Sequence, residues 1–175
     1  ALVAQDLLNA MRFRHLAEER TAGDVDGVFE TWEAVLEREL ETLRRRDGVG
    51  AVLTDARRAI ARVEAVVAGA ARAYAALPRD EARVGELRDV LLAGDIFLRV
   101  DEWGNDDLQH RLAELGLRVV TEPFSEFFEL LAYRDVQEQP PTSAKYWKRR
   151  ATLRMMRSIV GRLLAAARRS EPWLY

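Results

Sequence analysis

The spacing of apolar residues changes along this chain, and that change limits the folds open to it. Over about 51–77, Leu53, Ala56, Ile60, Val63, Val67, Ala70, Tyr74 and Leu77 recur at alternating steps of three and four, a heptad-like seam on a long helix. The seam is narrow and partly alanine, so its partner helices are expected to approach closely. Pro78 ends it. After "PRDEARVGE" the pattern becomes a near-continuous apolar run, "DVLLAGDIFL" over 89–98, the pattern of a parallel strand buried on both faces.

A second short strand follows at "LRVVTEP", with its core over about 117–122 and Pro123 as its stop. Between the two, Asn105 is placed to cap a helix over 106–115, with Asp106 and Asp107 in its first turn and Gly116 as a left-handed end. Strand, helix, strand in this length is one βαβ unit, for which a right-handed crossover is expected. Two strands make a marginal sheet, so its edges are expected to be covered by helices or by strands from elsewhere in a parent chain.

The remainder reads as amphipathic helix. Residues 1–20 place Ala4, Leu7, Leu8, Met11 and His15 on one face. "TAGDVDG" breaks the pattern, and Asp24 or Asp26 can cap a helix that runs to about Arg46, with a stripe of Phe29, Trp32, Leu36, Leu40 and Leu43. "DGVG" (47–50) is a turn. Ser125 can cap "EFFELLAYRDVQ", "QPPTS" is a linker, and a last helix spans about 144–169. The expected class is a helix-rich α/β fold. Its parts are a helical arm or bundle at 1–80, a βαβ lobe with its following helix at 81–139, and a C-terminal basic helix at 140–175 that packs on the rest.

Composition narrows the chemistry. Hydrophobic residues make up 49% and charged residues 32% of the 175, enough for a core and typical of soluble helical proteins. A net charge of −2 carries neither a nucleic-acid nor a membrane signature, and no apolar run is long enough to span a bilayer. With no cysteine, these residues offer no disulfide, thiol nucleophile, zinc finger or cysteine-ligated iron–sulfur cluster. A cytoplasmic location is the default expectation. Because the chain opens at Ala1 directly in helical pattern, we expect a segment of a longer protein.

One stretch, "GDIFLRVDEWGND" (94–106), reads like the rim of a site. It would leave the carboxyl end of the first strand, where open α/β sheets bind ligands. Asp95, inside an apolar strand, needs a partner if buried, and Arg99 is at hand. The residue types admit three readings: a capped strand-to-helix turn, a ligand-facing loop, or a catalytic acid. No phosphate-binding glycine pattern is present. His15 and His110 lie on separate helices outside any metal spacing and read as surface or helix-face histidines. Glu122, Glu126 and Glu129 with Asp101 lack a regular ligand spacing, and we expect no metal and no catalytic residue. The last helix gathers Lys145, Lys148, Arg149, Arg150, Arg154, Arg157, Arg162, Arg168 and Arg169 around Tyr146 and Trp147. That is either a solvated face paired with acidic helices or a phosphate or nucleic-acid surface.

The block "VLLAGDIFLRVDEWGNDDLQHRLAELGLRVVTEPFSEFFELLAY" resembles the 2-hydroxyacyl-CoA dehydratase and CoA-substrate-specific enzyme activase proteins. The resemblance rests on Gly94, Asp95, Ile96, Phe97, Arg99, Asp101, Asn105, Asp106, Gly116, Pro123, Ser125, Glu126, Phe127 and Tyr133. Glu102, Trp103 and Gly104 depart from the family's Pro, Phe and Ala. The resemblance implies a system in which an ATP-hydrolysing activase passes an electron, through cysteine-held iron–sulfur clusters, to a dehydratase acting on a 2-hydroxyacyl-CoA. With neither those cysteines nor a nucleotide motif, this chain would be a non-catalytic segment of a dehydratase-like portion, holding no cofactor itself. Its partners would be the rest of its parent chain, dehydratase or activase subunits, or a CoA-type ligand. The ligand-facing candidates are Asp95, Arg99, Asp101, Asn105, Asp106 and Glu126. Two rival functions are a scaffold module built on helix 51–77 and a phosphate or nucleic-acid binder using the last helix.

Overall fold

The computed structural model describes residues 1–44, 52–95, 99 and 101–174. In chain order its elements are α1 (Leu2–Leu16), α2 (Asp24–Arg44), α3 (Val52–Ala75), a single turn α4 (Glu81–Val84), β1 (Arg88–Leu92), α5 (Leu108–Glu114), β2 (Leu117–Thr121), α6 (Phe124–Gln137) and α7 (Ala144–Arg168). This is the expected helix-rich α/β architecture. β1 and β2 pair in parallel, from Arg88 opposite Leu117 to Leu92 opposite Thr121.

The fold is organised around α1. Its anticipated stripe of Ala4, Leu7, Leu8, Met11 and His15 is buried, and so are Arg12, Phe13 and Leu16 on its other sides. A helix covered on more than one face lies inside the molecule, and α1 touches α2, α3, α5, β2, α6 and α7. The shared core adds Val25, Phe29 and Leu36 from α2, and Val63, Val67, Ala70 and Tyr74 from α3. Burying each such Leu or Val side chain contributes about 1.5–3 kcal/mol. The α3 seam is thus spent inside the chain from Val63 onward, whereas Ala56 stays exposed. The side chains of Leu43 and Leu53 and the "DGVG" turn lie outside what is described. The close approach expected of the small-residue seam occurs at Gly69, where a Cβ would run into the Trp32 indole of α2.

Several local expectations are corrected. The first strand stops at Leu92 rather than 98, because Gly94 takes φ +129° and turns the chain. It is not buried on both faces: Leu91 is 62% exposed and Asp95 is exposed beyond the strand end. The helices α1 and α5 pack on β2 rather than on β1. The helix expected over 106–115 begins at Leu108, because Asp106 and Asp107 sit at φ 56° and 52°, left-handed and outside it. Asn105 still caps it: its Oδ1 accepts from Leu108 N at 3.1 Å. Gly116 closes it at φ +79°, as expected. Neither Asp24 nor Asp26 provides the α2 cap that the side chain of Glu19 supplies, accepting from Gly23 N (3.4 Å) and Val25 N (3.2 Å). Ser125 does not cap α6. Asp6 of α1 does, its two carboxylate oxygens accepting from Phe124 N (3.0 Å) and Ser125 N (2.7 Å).

Candidate functional site

The turn after β1 is built from its own side chains. Arg99, 8% exposed, donates through Nη1 to the Glu122 carbonyl at 2.8 Å and to the Glu122 carboxylate at 3.3 Å. It thereby ties the turn to the end of β2. Buried Gln109 donates to the Arg99 carbonyl at 2.5 Å and accepts from Asn105 Nδ2 at 3.2 Å. The backbone adds Asn105 N to Asp101 O (3.0 Å) and Asp107 N to Glu102 O (2.8 Å). A Cβ at Gly104 would lie 2.9 Å from the exposed Asp101 carboxylate, a side-chain end that can swing aside.

Of the candidate residues, Arg99 and Asn105 therefore meet through Gln109 as supports of the turn. Asp95, Asp101 and Asp106 face solvent, Asp106 paired with Arg111 at 2.6 Å. Glu126 is exposed at the start of α6, on a groove of about 600 Å³ between α6 and α7. These side chains do not converge on one cavity. Trp103, 93% exposed, projects from the turn without packing. The carboxylates weighed as a cation site are dispersed: Glu122 is with Arg99, Glu129 with Arg157, and no group of metal-ligating side chains occurs among the described residues.

Sequence reasoning missed a polar cleft of about 600 Å³ between α1, α2 and the start of α5. Arg12 donates to Asp26 at 2.7 Å, pairs with Glu102, and lies 4.7 Å from the Phe29 ring centroid. Asp26 also meets His110 Nε2 at 2.9 Å, and His110 Nδ1 meets Asp107 at 2.5 Å. Burial alone would lower the His110 pKa, but hydrogen bonds to Asp26 and Asp107 outweigh it and raise the value. Burial would raise that of Asp26, yet His110 and Arg12 hold it below the usual carboxylate range. Both ring nitrogens of His110 face carboxylates, which only accept, so the protonated ring donates twice and in that form keeps no lone pair for general-base work. The arrangement latches α5 onto α2. Its one sequence signal is Asp107 three residues before His110, since Asp26 lies 84 positions away.

A second network closes the far end of α1. His15 Nε2 meets Glu171 at 3.1 Å and the ring stacks on Tyr74, centroids 5.4 Å apart. Glu18, 1% exposed, faces Arg118 (3.3 Å), Arg79 (3.4 Å) and Arg14 (3.7 Å). Glu171 also accepts from Trp173. Burial pushes its pKa up, but His15 foremost, with Trp173 and Arg79, brings it below the ordinary value. These groups lie in the interior and hold the last residues against α1. Part of the basic helix is likewise engaged: Arg149 with Asp135, Arg157 with Glu129, Arg162 with Glu64, and Arg150 over the Tyr146 and Trp147 rings.

No helix among the described residues is long and apolar enough to cross a membrane. Comparison with protein-family models, curated proteins and solved structures found no match to this chain.

Proposed function

We propose that this chain is a non-catalytic, cytoplasmic α/β segment of a 2-hydroxyacyl-CoA dehydratase/activase-type protein, presenting the turn at 99–105 and the adjoining edge of β1 to another part of the assembly. The observation that carries the partner-facing reading is the sheet. β1 pairs only with β2 among the described residues, its apolar Leu91 is 62% exposed, and Trp103 of the following turn is 93% exposed. An open edge with apolar side chains is a template for a further strand. The resemblance residues Gly94, Arg99, Asn105 and Gly116 support this reading as the glycine turns and hydrogen bonds that shape the surface. Any ATP and iron–sulfur cluster of such a system would be held elsewhere.

A CoA-facing role for the same turn is the competing form. Titration of the labelled chain with acetyl-CoA and ATP, followed through backbone amide resonances, separates them. The partner reading expects no shift in 101–105 at millimolar ligand. Saturable shifts there, abolished by Trp103→Ala, would replace it with a ligand site.

A further inference from the structure

The outer face of α6 supports a different inference, independent of that reading. Phe127, Leu130, Leu131 and Tyr133 are each between 43% and 54% exposed, with Leu130 and Tyr133 on the rim of the groove between α6 and α7. A side chain of this size carries roughly 150–250 Å² of surface, so four half-exposed groups leave on the order of 300–400 Å² of mostly apolar area. Doubled by a second copy this is about 600–800 Å² before its polar rim is added, the size of a weak, reversible contact.

The charges on that face match a two-fold axis. Glu126 and Arg134 lie four residues before and after Leu130, both exposed and neither with an ion-pair partner among the described residues. An antiparallel α6 pair centred on Leu130 sets Glu126 of each copy opposite Arg134 of the other, and Phe127 opposite Tyr133. A two-fold interface must be self-complementary in this way. A parallel pair would oppose like charges and like helix dipoles.

We propose that this face of α6 is a homodimerisation surface, in which two copies pair antiparallel about Leu130. A contact of this size is of the weak, reversible kind, to be sought from about 1 μM to 1 mM protein. Sedimentation of the full chain across that range should show reversible dimers. Leu130→Asp, at an exposed position, should weaken them roughly tenfold or more while leaving the circular dichroism unchanged. Glu126→Arg and Arg134→Glu should each weaken them, and the two together should restore much of the loss, since the pairs are reciprocal. The chain has no cysteine, so Leu130→Cys places a single thiol at the proposed axis. It should oxidise to a covalent dimer far faster than Trp147→Cys, which is also exposed but lies on α7. A concentration-independent monomer overturns the proposal. So does a dimer indifferent to Leu130→Asp, or equal cross-linking at the two thiols.

Discussion

The two ends of α1 meet the rest of the molecule in different ways. At its C-terminal end, His15 and Glu18 are enclosed by charged partners from α1, the Arg79 segment, β2 and the chain's final residues, and the Tyr74 ring stacked on His15 is fully buried. At its N-terminal end, Asp6 holds α6 by two backbone amides, yet α6 turns a row of aromatic and leucine side chains outward. The first arrangement locks the fold. The second fixes the position of a surface and leaves it open. Stability and association are thereby assigned to different residues, and substitutions can separate them.

The largest loss is expected at Glu18. Glu18→Ala leaves Arg14, Arg79 and Arg118 crowded without their shared anion, and removing one partner of a buried ion pair costs about 3–5 kcal/mol. Denaturant unfolding would read this directly, and a loss below about 1 kcal/mol would mean the network is solvated. Gly69→Val comes next, at about 1–3 kcal/mol, because the new side chain must displace the Trp32 ring between α2 and α3. Asp6→Ala removes the side-chain cap of α6 and is expected to cost about 0.5–2 kcal/mol. Exchange of the first α6 amides should quicken before that of the α1 core. At the small end, Leu131→Ser, on the open face, should shift stability by less than about 0.5 kcal/mol.

The His110 latch adds a pH dependence whose sign follows from its partners. The folded His110 pKa is raised above 6.5, so its contribution is complete below that value and fades as pH rises through the higher folded one. Asp26 is shifted below 3.8, so its contribution is present above that value and is lost as pH falls through the lower folded one. The contact between α5 and α2 is therefore tightest in mildly acidic solution. His110→Ala should flatten the alkaline side of the stability profile, and an unchanged profile would remove the latch from the account.

Much of the element order was legible because it depends on local chemistry. Pro78, Gly116 and Asn105 stand where helices end or begin, and the apolar spacing of α1 and α3 marks the faces that pack. The errors fall where a distant group decides. Ser125 is a good cap by type, but Asp6 arrives from 119 positions away. The run 89–98 has the composition of a doubly covered strand, yet composition says nothing about whether covering layers are present, and Gly94 turns the chain early. Asp95 and Arg99 are close in sequence, but Arg99 turns its guanidinium to Glu122. The His110–Asp26 and His15–Glu171 pairs, 84 and 156 positions apart, have no local signature at all.

Amide hydrogen exchange of the full chain, at concentrations below and above the proposed dimer range, tests the division between locked core and open face most directly. Dilute protein should show its slowest exchange in the central turns of α1 and α3 and markedly faster exchange in α6, since opening energies follow local burial. Concentrated protein should gain protection in α6 alone. Protection of α6 equal to that of α1 in dilute solution, or no gain on concentration, would contradict the account.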